Sequence, residues 1–141
     1  MHVHEGNFLI ACDDLKAAKI LIKEGSYRVA IFLLQQSTEK ALKAYLAFMK
    51  KPLVRTHDLT MLIEKCVIFD KEFLVFFEHA KILTPYATRG RYIDDYVEID
   101  GIFVKKLARD TAKILRHIQK RIACAVEHGI QNIIFAEIEE D

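Results

Sequence analysis

A polar stripe runs through the apolar stretch FLLQQSTEKALKAYL, residues 32–46. At about 100° per residue, its polar members share one side of a helix, opposite an apolar face: Gln35, Gln36, Glu39, Lys40 and Lys43. Apolar residues border this stripe, so it differs from an ordinary solvated face. One interpretation is an exposed surface carrying a Glu39–Lys43 ion pair one turn apart. The other is a polar groove against a second helix or a subunit.

The sequence RTHDL, residues 55–59, places a histidine at the start of a helix. His57 has Arg55 nearby and Asp58 next to it, and either Thr56 or Asp58 can serve as the N-cap. A histidine in this position can support the helix end or change its charge near neutral pH. A structural and a functional role are therefore both open for His57.

The densest group of chemically capable residues is RGRYIDDY, residues 89–96. Arg89 and Arg91 could clamp a phosphate with a bidentate geometry that lysine lacks. Asp94 and Asp95 could hold a metal ion, but pairing with the two arginines is the more common outcome, and we predict no metal site. Three tyrosines could stack on a base or simply pack against the fold: Tyr86, Tyr92 and Tyr96.

Apolar residues at helical spacing predict the elements that must position these groups. We expect helices over residues 6–24, 27–50, 71–87 and 101–128, and a third helix opened by RTHDLTMLIEKC, residues 55–66. Gly25 should end the first helix, and capping residues should start the others: Ser26, Asp70 and Asp100. The fourth helix should bury six apolar residues: Phe73, Leu74, Phe76, Phe77, Ala80 and Leu83.

This arrangement predicts an all-α fold, an up-and-down antiparallel bundle of four to five helices. The bundle should span residues 1–129 as one domain. Residues 130–141, IQNIIFAEIEED, form a tail that could be a short strand or a docking arm. Its apolar half could cover a partner surface, and its acidic half could mask a basic groove.

Composition narrows the classes of function. Lys plus Arg number 21 and Asp plus Glu 20, so bulk charge does not indicate a general nucleic-acid or membrane binder. Three widely spaced cysteines, without a C-x-x-C pair, predict buried free thiols in a reducing cytoplasm. The sequence has no signal-peptide pattern, no membrane-spanning apolar run and no phosphate-loop, zinc-protease or nucleophile-elbow motif. We therefore expect a cytoplasmic protein that needs no cofactor and does not enter the membrane.

The order of these motifs carries a family resemblance. The sequence GSYRVAIFLLQQSTEKALKAYL is followed by RTHDL, RGRYIDDY and a long amphipathic helix. This order, over about residues 8–122, resembles the HEPN domain (higher eukaryotes and prokaryotes nucleotide-binding), especially its small stand-alone prokaryotic members. The matching positions imply ligand-binding roles, to which Arg89 is added from the same loop: Gln36, Glu39, Lys40, His57, Asp58, Arg91, Tyr92 and Asp94.

The resemblance also implies a functional setting. It suggests a homodimer, encoded beside a minimal nucleotidyltransferase in a pair that looks like a toxin–antitoxin module. In such pairs the HEPN partner is a ribonuclease or is itself modified by the transferase, and direct nucleotide binding has also been proposed. Ribonuclease members carry an arginine, four to six residues and then a histidine, whereas Arg91 is followed here by YIDDY. Arg121 and His128 have this spacing but lie at the end of the last helix.

Three hypotheses remain open at this point. The first is a binding module in which Gln36, Lys40, His57 and Arg91 surround a groove for a nucleotide, an RNA phosphate or the nucleotidyltransferase. The second is a metal-independent ribonuclease, in which Arg91 stabilises the phosphorane and Tyr96 or His57 moves the proton. The third is a purely structural dimer whose polar stripe fixes helix register.

The neighbouring apolar residues and the family resemblance divide the stripe into residues that line a groove and residues that face solvent. Gln36, Glu39 and Lys40 should line the groove, whereas Gln35 and Lys43 should face solvent.

Overall fold

The computed structural model describes residues 3–87 and 98–125, and these residues contain helices and connections but no strand. The helices are α1 (Val3–Lys23), α2 (Tyr27–Phe48), α3 (Leu59–Val67), α4 (Phe77–Leu83) and α5 (Gly101–Ala125). Two short 3₁₀ helices, Lys71–Phe76 and Thr84–Ala87, flank α4. The predicted all-α helical bundle is confirmed. The loop at residues 88–97 and the tail at residues 130–141 lie outside the described residues.

Helices α1 and α2 form an antiparallel pair, in which the Ser37 hydroxyl of α2 donates to the Ala11 carbonyl of α1. Gly25, with φ 78°, reverses the chain between α1 and α2, in a left-handed conformation that glycine adopts without a steric penalty. The backbone N–H of Leu59 at the start of α3 donates to the Thr84 hydroxyl just after α4, at 3.1 Å. Helix α5 packs on both α1 and α2. These contacts join the five helices into one bundle.

A single apolar cluster joins all five helices. Its largest fully buried side chains come from each part of the fold: Phe8, Ile31, Leu34, Leu42, Leu62, Ile63, Phe73, Leu83, Leu107 and Ile114. Cys12 and Cys66 lie in this cluster as free thiols, as predicted. Burial raises the pKa of Cys66 to about 12, so this thiol stays protonated at neutral pH. The Cys124 side chain is outside the described residues.

The predicted fourth helix is wrong in detail, because residues 71–87 form three short pieces instead of one α-helix. A 3₁₀ helix has about three residues per turn instead of 3.6, which changes the side chains that face the core. Phe73 is therefore fully buried while Leu74 is 61% exposed, contrary to expectation. Pro85 has no backbone N–H and cannot continue the ladder of α4.

Three of the predicted caps are present. The side chains of Asp58, Asp70 and Asp100 accept backbone N–H groups at the starts of α3, the first 3₁₀ helix and α5. Ser26 occupies the N-cap position of α2, but its side chain makes no capping hydrogen bond. In the described part of the chain, no helix is both long enough and apolar enough to span a bilayer.

Candidate functional site

Glu39, at the middle of α2, is a carboxylate at the centre of a polar cluster. Only 8% of its side chain is exposed. One carboxylate oxygen accepts hydrogen bonds from the side-chain amide of Gln35 (3.2 Å) and from Nδ1 of His57 (2.9 Å), and the other accepts from Lys43 (3.1 Å). The predicted Glu39–Lys43 pair is thus present, but it is half-enclosed instead of lying on an open surface.

Three donors keep Glu39 ionised. Burial alone would raise the pKa of Glu39, but the hydrogen bonds from His57, Gln35 and Lys43 bring the pKa below its ordinary value. A carboxylate that is buried must be paired or hydrogen-bonded, because an isolated buried charge is very costly. Glu39 is therefore a fixed negative charge just beneath the surface.

Two members of the stripe were wrongly predicted to face solvent: Lys43, whose side chain is only 17% exposed, and Gln35. Gln35 is fully buried. Its amide donates to Glu39 and, at 3.5 Å, to the backbone carbonyl of His57, while its oxygen accepts from the amide of Gln36 at 2.7 Å. The connector after α2 folds back over Gln35, so the face predicted to be open is covered.

His57 is held at the edge of this cluster by both its ring and its backbone. Nδ1 donates to Glu39, while 71% of the side chain remains exposed, and the described residues provide no partner for Nε2. The Thr56 hydroxyl accepts from the Asp58 backbone N–H (3.1 Å), and Asp58 caps α3 through Thr60 (3.0 Å). The sequence THDL therefore fixes an exposed imidazole in one orientation.

Four of the predicted site residues lie together in this cluster, whereas Lys40 lies apart from it. Gln36, Glu39 and His57 are connected through Gln35, and Asp58 is adjacent. Lys40 points elsewhere: its ammonium binds Asp14 of α1 at 2.8 Å, with 32% of the lysine side chain exposed. It joins α1 to α2, and no described contact connects it with His57.

The arginine-rich loop of the predicted site lies outside the described residues. This applies to every proposed role there: Arg89, Arg91, Tyr92, Asp94 and Tyr96. The chain enters this loop from the Thr84–Ala87 turn, which packs on α2. Thr84 accepts from the backbone of Leu59, two residues after His57. The described chain before the loop is thus in contact with the start of α3, and the contribution of the loop to the site stays a prediction.

A second polar cluster was not predicted from the sequence. The Asp70 carboxylate accepts from Nε2 of His117 (2.7 Å) and from Nε of Arg121 (2.8 Å), and Arg121 also binds Glu72. Burial would raise the pKa of Asp70, but the Glu72 backbone N–H, His117 and Arg121 lower it overall. The i,i+4 spacing of His117 and Arg121 was a usable signal, since it places both on one face of α5.

This second cluster could in principle supply metal ligands. Asp70, Glu72 and His117 each offer one atom, and these atoms lie within 4.8 Å of one another. The Arg121 guanidinium already binds both carboxylates, and its permanent positive charge opposes a second cation there. We interpret the cluster as an ion-pair network between α5 and the first 3₁₀ helix, and the absence of a metal site stays a prediction.

Comparison with known proteins identifies the family. The family model for the HEPN domain matches residues 6–128. The chain belongs to the HEPN domain family. This HEPN domain is also similar to an archaeal HEPN homologue of known crystal structure, with a TM-score of 0.69 and 26% sequence identity. The match covers 86% of this chain and 99% of the archaeal chain. No curated protein matches the sequence.

Proposed function

We propose that this HEPN domain is a nucleotide- or RNA-binding module whose ligand contacts the Gln36–Glu39–His57 cluster. The supporting observation is the Glu39–His57 pair, a buried carboxylate that holds an exposed imidazole in a fixed orientation. The free Nε2 edge of such a histidine can donate to a phosphate oxygen when the ring is protonated. Pre-oriented donors bind more tightly because less side-chain freedom is lost on binding.

Two neighbouring residues add contacts of different kinds. Gln36 is half-exposed, and an amide side chain can form paired hydrogen bonds with a base edge. Arg55 is exposed two residues before His57, and its guanidinium suits bidentate binding of phosphate. We infer that Arg91 or Arg89 completes the phosphate contacts from the neighbouring loop.

Calorimetry with nucleoside triphosphates and with short single-stranded RNA tests this proposal. His57→Gln should weaken binding about tenfold, since a lost charge-assisted hydrogen bond costs about 1.5–3 kcal/mol. Lys106→Ala provides a control, because Lys106 is an exposed cation of α5 whose described ion-pair partner is Asp110. No binding of either ligand class by folded protein, or equal affinities for wild type and His57→Gln, would reject the proposal.

A ribonuclease is the second candidate, and the orientation of His57 favours it. With Nδ1 held by Glu39, Nε2 is the nitrogen left to exchange a proton with substrate, as general acid–base catalysis requires. In this scheme Arg91 stabilises the phosphorane, and Tyr96 is the alternative proton carrier. Incubation with tRNA and mRNA in the presence of EDTA should then give cleavage that is lost in Arg91→Ala. Cleavage unchanged in both Arg91→Ala and His57→Ala would exclude this assignment.

We further propose that the domain forms a homodimer and pairs with a minimal nucleotidyltransferase in a toxin–antitoxin-type module. Family membership supports this proposal, since HEPN domains of this kind occur in such pairs. Analytical ultracentrifugation should give twice the 16.3 kDa chain mass. Co-expression with the transferase encoded beside it should yield a stable complex or a nucleotidylated tyrosine, detectable by mass spectrometry at Tyr92 or Tyr96.

A further inference from the structure

A groove beside the proposed ligand site has Arg55 in common with it, and its other lining residues have no role in the proposed function. It has a volume of about 440 Å³ and lies between the connector that follows α2 and the end of α3. Its apolar lining includes Leu53, Ile68 and Phe69, and its cations are Lys51, Arg55 and Lys65. A smaller cavity of about 180 Å³ continues it towards α1.

The charge of this groove has one sign. No aspartate or glutamate of the described residues lines it. Lys51 lies over the ring of Phe69, with its ammonium 5.4 Å from the ring centre. Within residues 3–87 and 98–125, no carboxylate forms an ion pair with Arg55 or Lys65. Three cations in close proximity therefore favour an anionic occupant.

The apolar part of the groove favours a peptide over a nucleic acid. Leu53 and Ile68 are 69% and 78% exposed, so aliphatic surface at the rim is left in contact with water. Nucleic acids that bind such surfaces stack their bases on aromatic rings. The Phe69 ring, however, already has Lys51 over its face. Aliphatic side chains flanked by carboxylates fit these surroundings better.

The chain itself contains a segment with this chemistry. Residues 130–141, IQNIIFAEIEED, combine four isoleucines and a phenylalanine with four carboxylates, and they include no lysine or arginine. We propose that the groove between the α2–α3 connector and the end of α3 binds residues 130–141 of the same chain. The apolar half would cover Leu53 and Ile68, and the acidic half would pair with Lys51, Arg55 and Lys65.

The path of α5 makes an intramolecular contact feasible. Arg121, in the last described turns of α5, binds Asp70, and Asp70 directly follows the groove residue Phe69. Helix α5 therefore ends at the same end of the molecule as the groove. Twelve extended residues span up to about 40 Å, so the segment is long enough to cross the groove.

Carbodiimide cross-linking of the full chain tests this contact, because it couples carboxylates to lysine amines at direct contact. We expect cross-links from the carboxylates of residues 137–141 to Lys51 or Lys65, mapped by mass spectrometry. Leu53→Asp combined with Ile68→Asp should lower their yield at least fivefold. Ile20→Asp is the matched control, since Ile20 is a 56% exposed aliphatic residue of α1, and it should leave the yield unchanged.

An equal mixture of ¹⁴N- and ¹⁵N-labelled protein identifies the occupant. Cross-links within one label support the intramolecular contact, whereas mixed-label cross-links would assign the groove to a second copy and overturn the proposal. Cross-links spread evenly over Lys105, Lys106 and Lys113 of α5 would also overturn it. Protection of Lys51 and Lys65 from acetylation by single-stranded RNA, without a tail cross-link, would assign the groove to nucleic acid instead.

Discussion

At the scale of single residues, Glu39 determines the character of the candidate site. Its carboxylate is enclosed, and it organises one lysine, one glutamine and one histidine from two parts of the chain. The exposed imidazole of His57 would otherwise sample several rotamers. The same contacts that stabilise the buried charge thus prepare His57 for binding or proton transfer.

Glu39→Gln should lower the free energy of unfolding at pH 7 by roughly 1–3 kcal/mol, because the amide leaves buried donors without a charged acceptor. The pKa of Glu39 is below its ordinary value, so its stabilisation is complete above that value. The stabilisation is lost as pH falls through the lowered pKa of the folded state. Urea denaturation at pH 7 and pH 3 should therefore show a smaller difference between wild type and variant in acid.

Glu64→Gln is the control for this measurement, since Glu64 is exposed on α3. Its effect should remain within about 0.5 kcal/mol at both pH values. An equal effect of the two substitutions would contradict the central role of Glu39.

At the scale of elements, the N-cap of α3 both stabilises the helix and positions His57 of the candidate site. Asp58 caps α3, and Thr60 supplies both its backbone N–H and its hydroxyl to the same carboxylate oxygen, at 3.0 and 2.6 Å. Because His57 directly precedes this cap, the position of the imidazole depends on the helix start. In another part of the fold, the ion pairs of Asp70 with His117 and Arg121 join the first 3₁₀ helix to α5.

Asp58→Ala should lower the free energy of unfolding by about 1 kcal/mol, as loss of an N-cap usually does, and it should weaken ligand binding. Asp58→Asn should preserve most of both properties, since asparagine is an equally good cap. Asp100→Ala, which removes the cap of α5, is the matched control: it should reduce stability similarly without changing affinity. Equal losses of affinity in the two alanine variants, measured by calorimetry, would contradict a specific link between the cap and the site.

At the scale of the whole molecule, a buried histidine couples the stability of the bundle to pH. His79 on α4 is 6% exposed, and its Nε2 lies 3.0 Å from the hydroxyl of Thr111 on α5. Thr111 in turn lies 3.5 Å from Thr38 of α2, so the contact connects three helices. Burial lowers the pKa of His79 to about 4, and the ring is neutral in the folded protein at neutral pH.

The lowered pKa of His79 predicts a loss of stability on mild acidification. The unfolded chain binds a proton below about pH 6.5, whereas the folded protein does not bind it until about pH 4. The stabilisation is therefore complete above pH 6.5 and falls between these values, by roughly 3 kcal/mol in total. Urea titrations at pH 7 and pH 5 should show this decrease in wild type and a much smaller decrease in His79→Gln. Parallel pH profiles for the two proteins would show that His79 is not the cause.

The amino-acid sequence by itself determined the features that depend on residues close together in the chain. Helical periodicity predicted the long helices, Gly25 predicted the first reversal, and three aspartates were recognised as caps. The order of short motifs also indicated the family. These signals are local because a helix repeats every 3.6 residues and a cap involves only its first turn. The fourth predicted helix was wrong where 3₁₀ turns, which repeat every three residues, replaced the α-helical period.

Only the tertiary structure decided which polar residues are enclosed and which of them meet. Gln35 is buried because the connector returns over α2 and brings His57, 22 residues later, against it. Lys40 binds Asp14 because α1 lies along the other edge of α2, and His117 meets Asp70 across 47 residues of chain. Such contacts depend on how packed helices exclude water from a polar face. Periodicity places a residue on one side of its helix, but the neighbouring elements decide whether that side is exposed to solvent or buried.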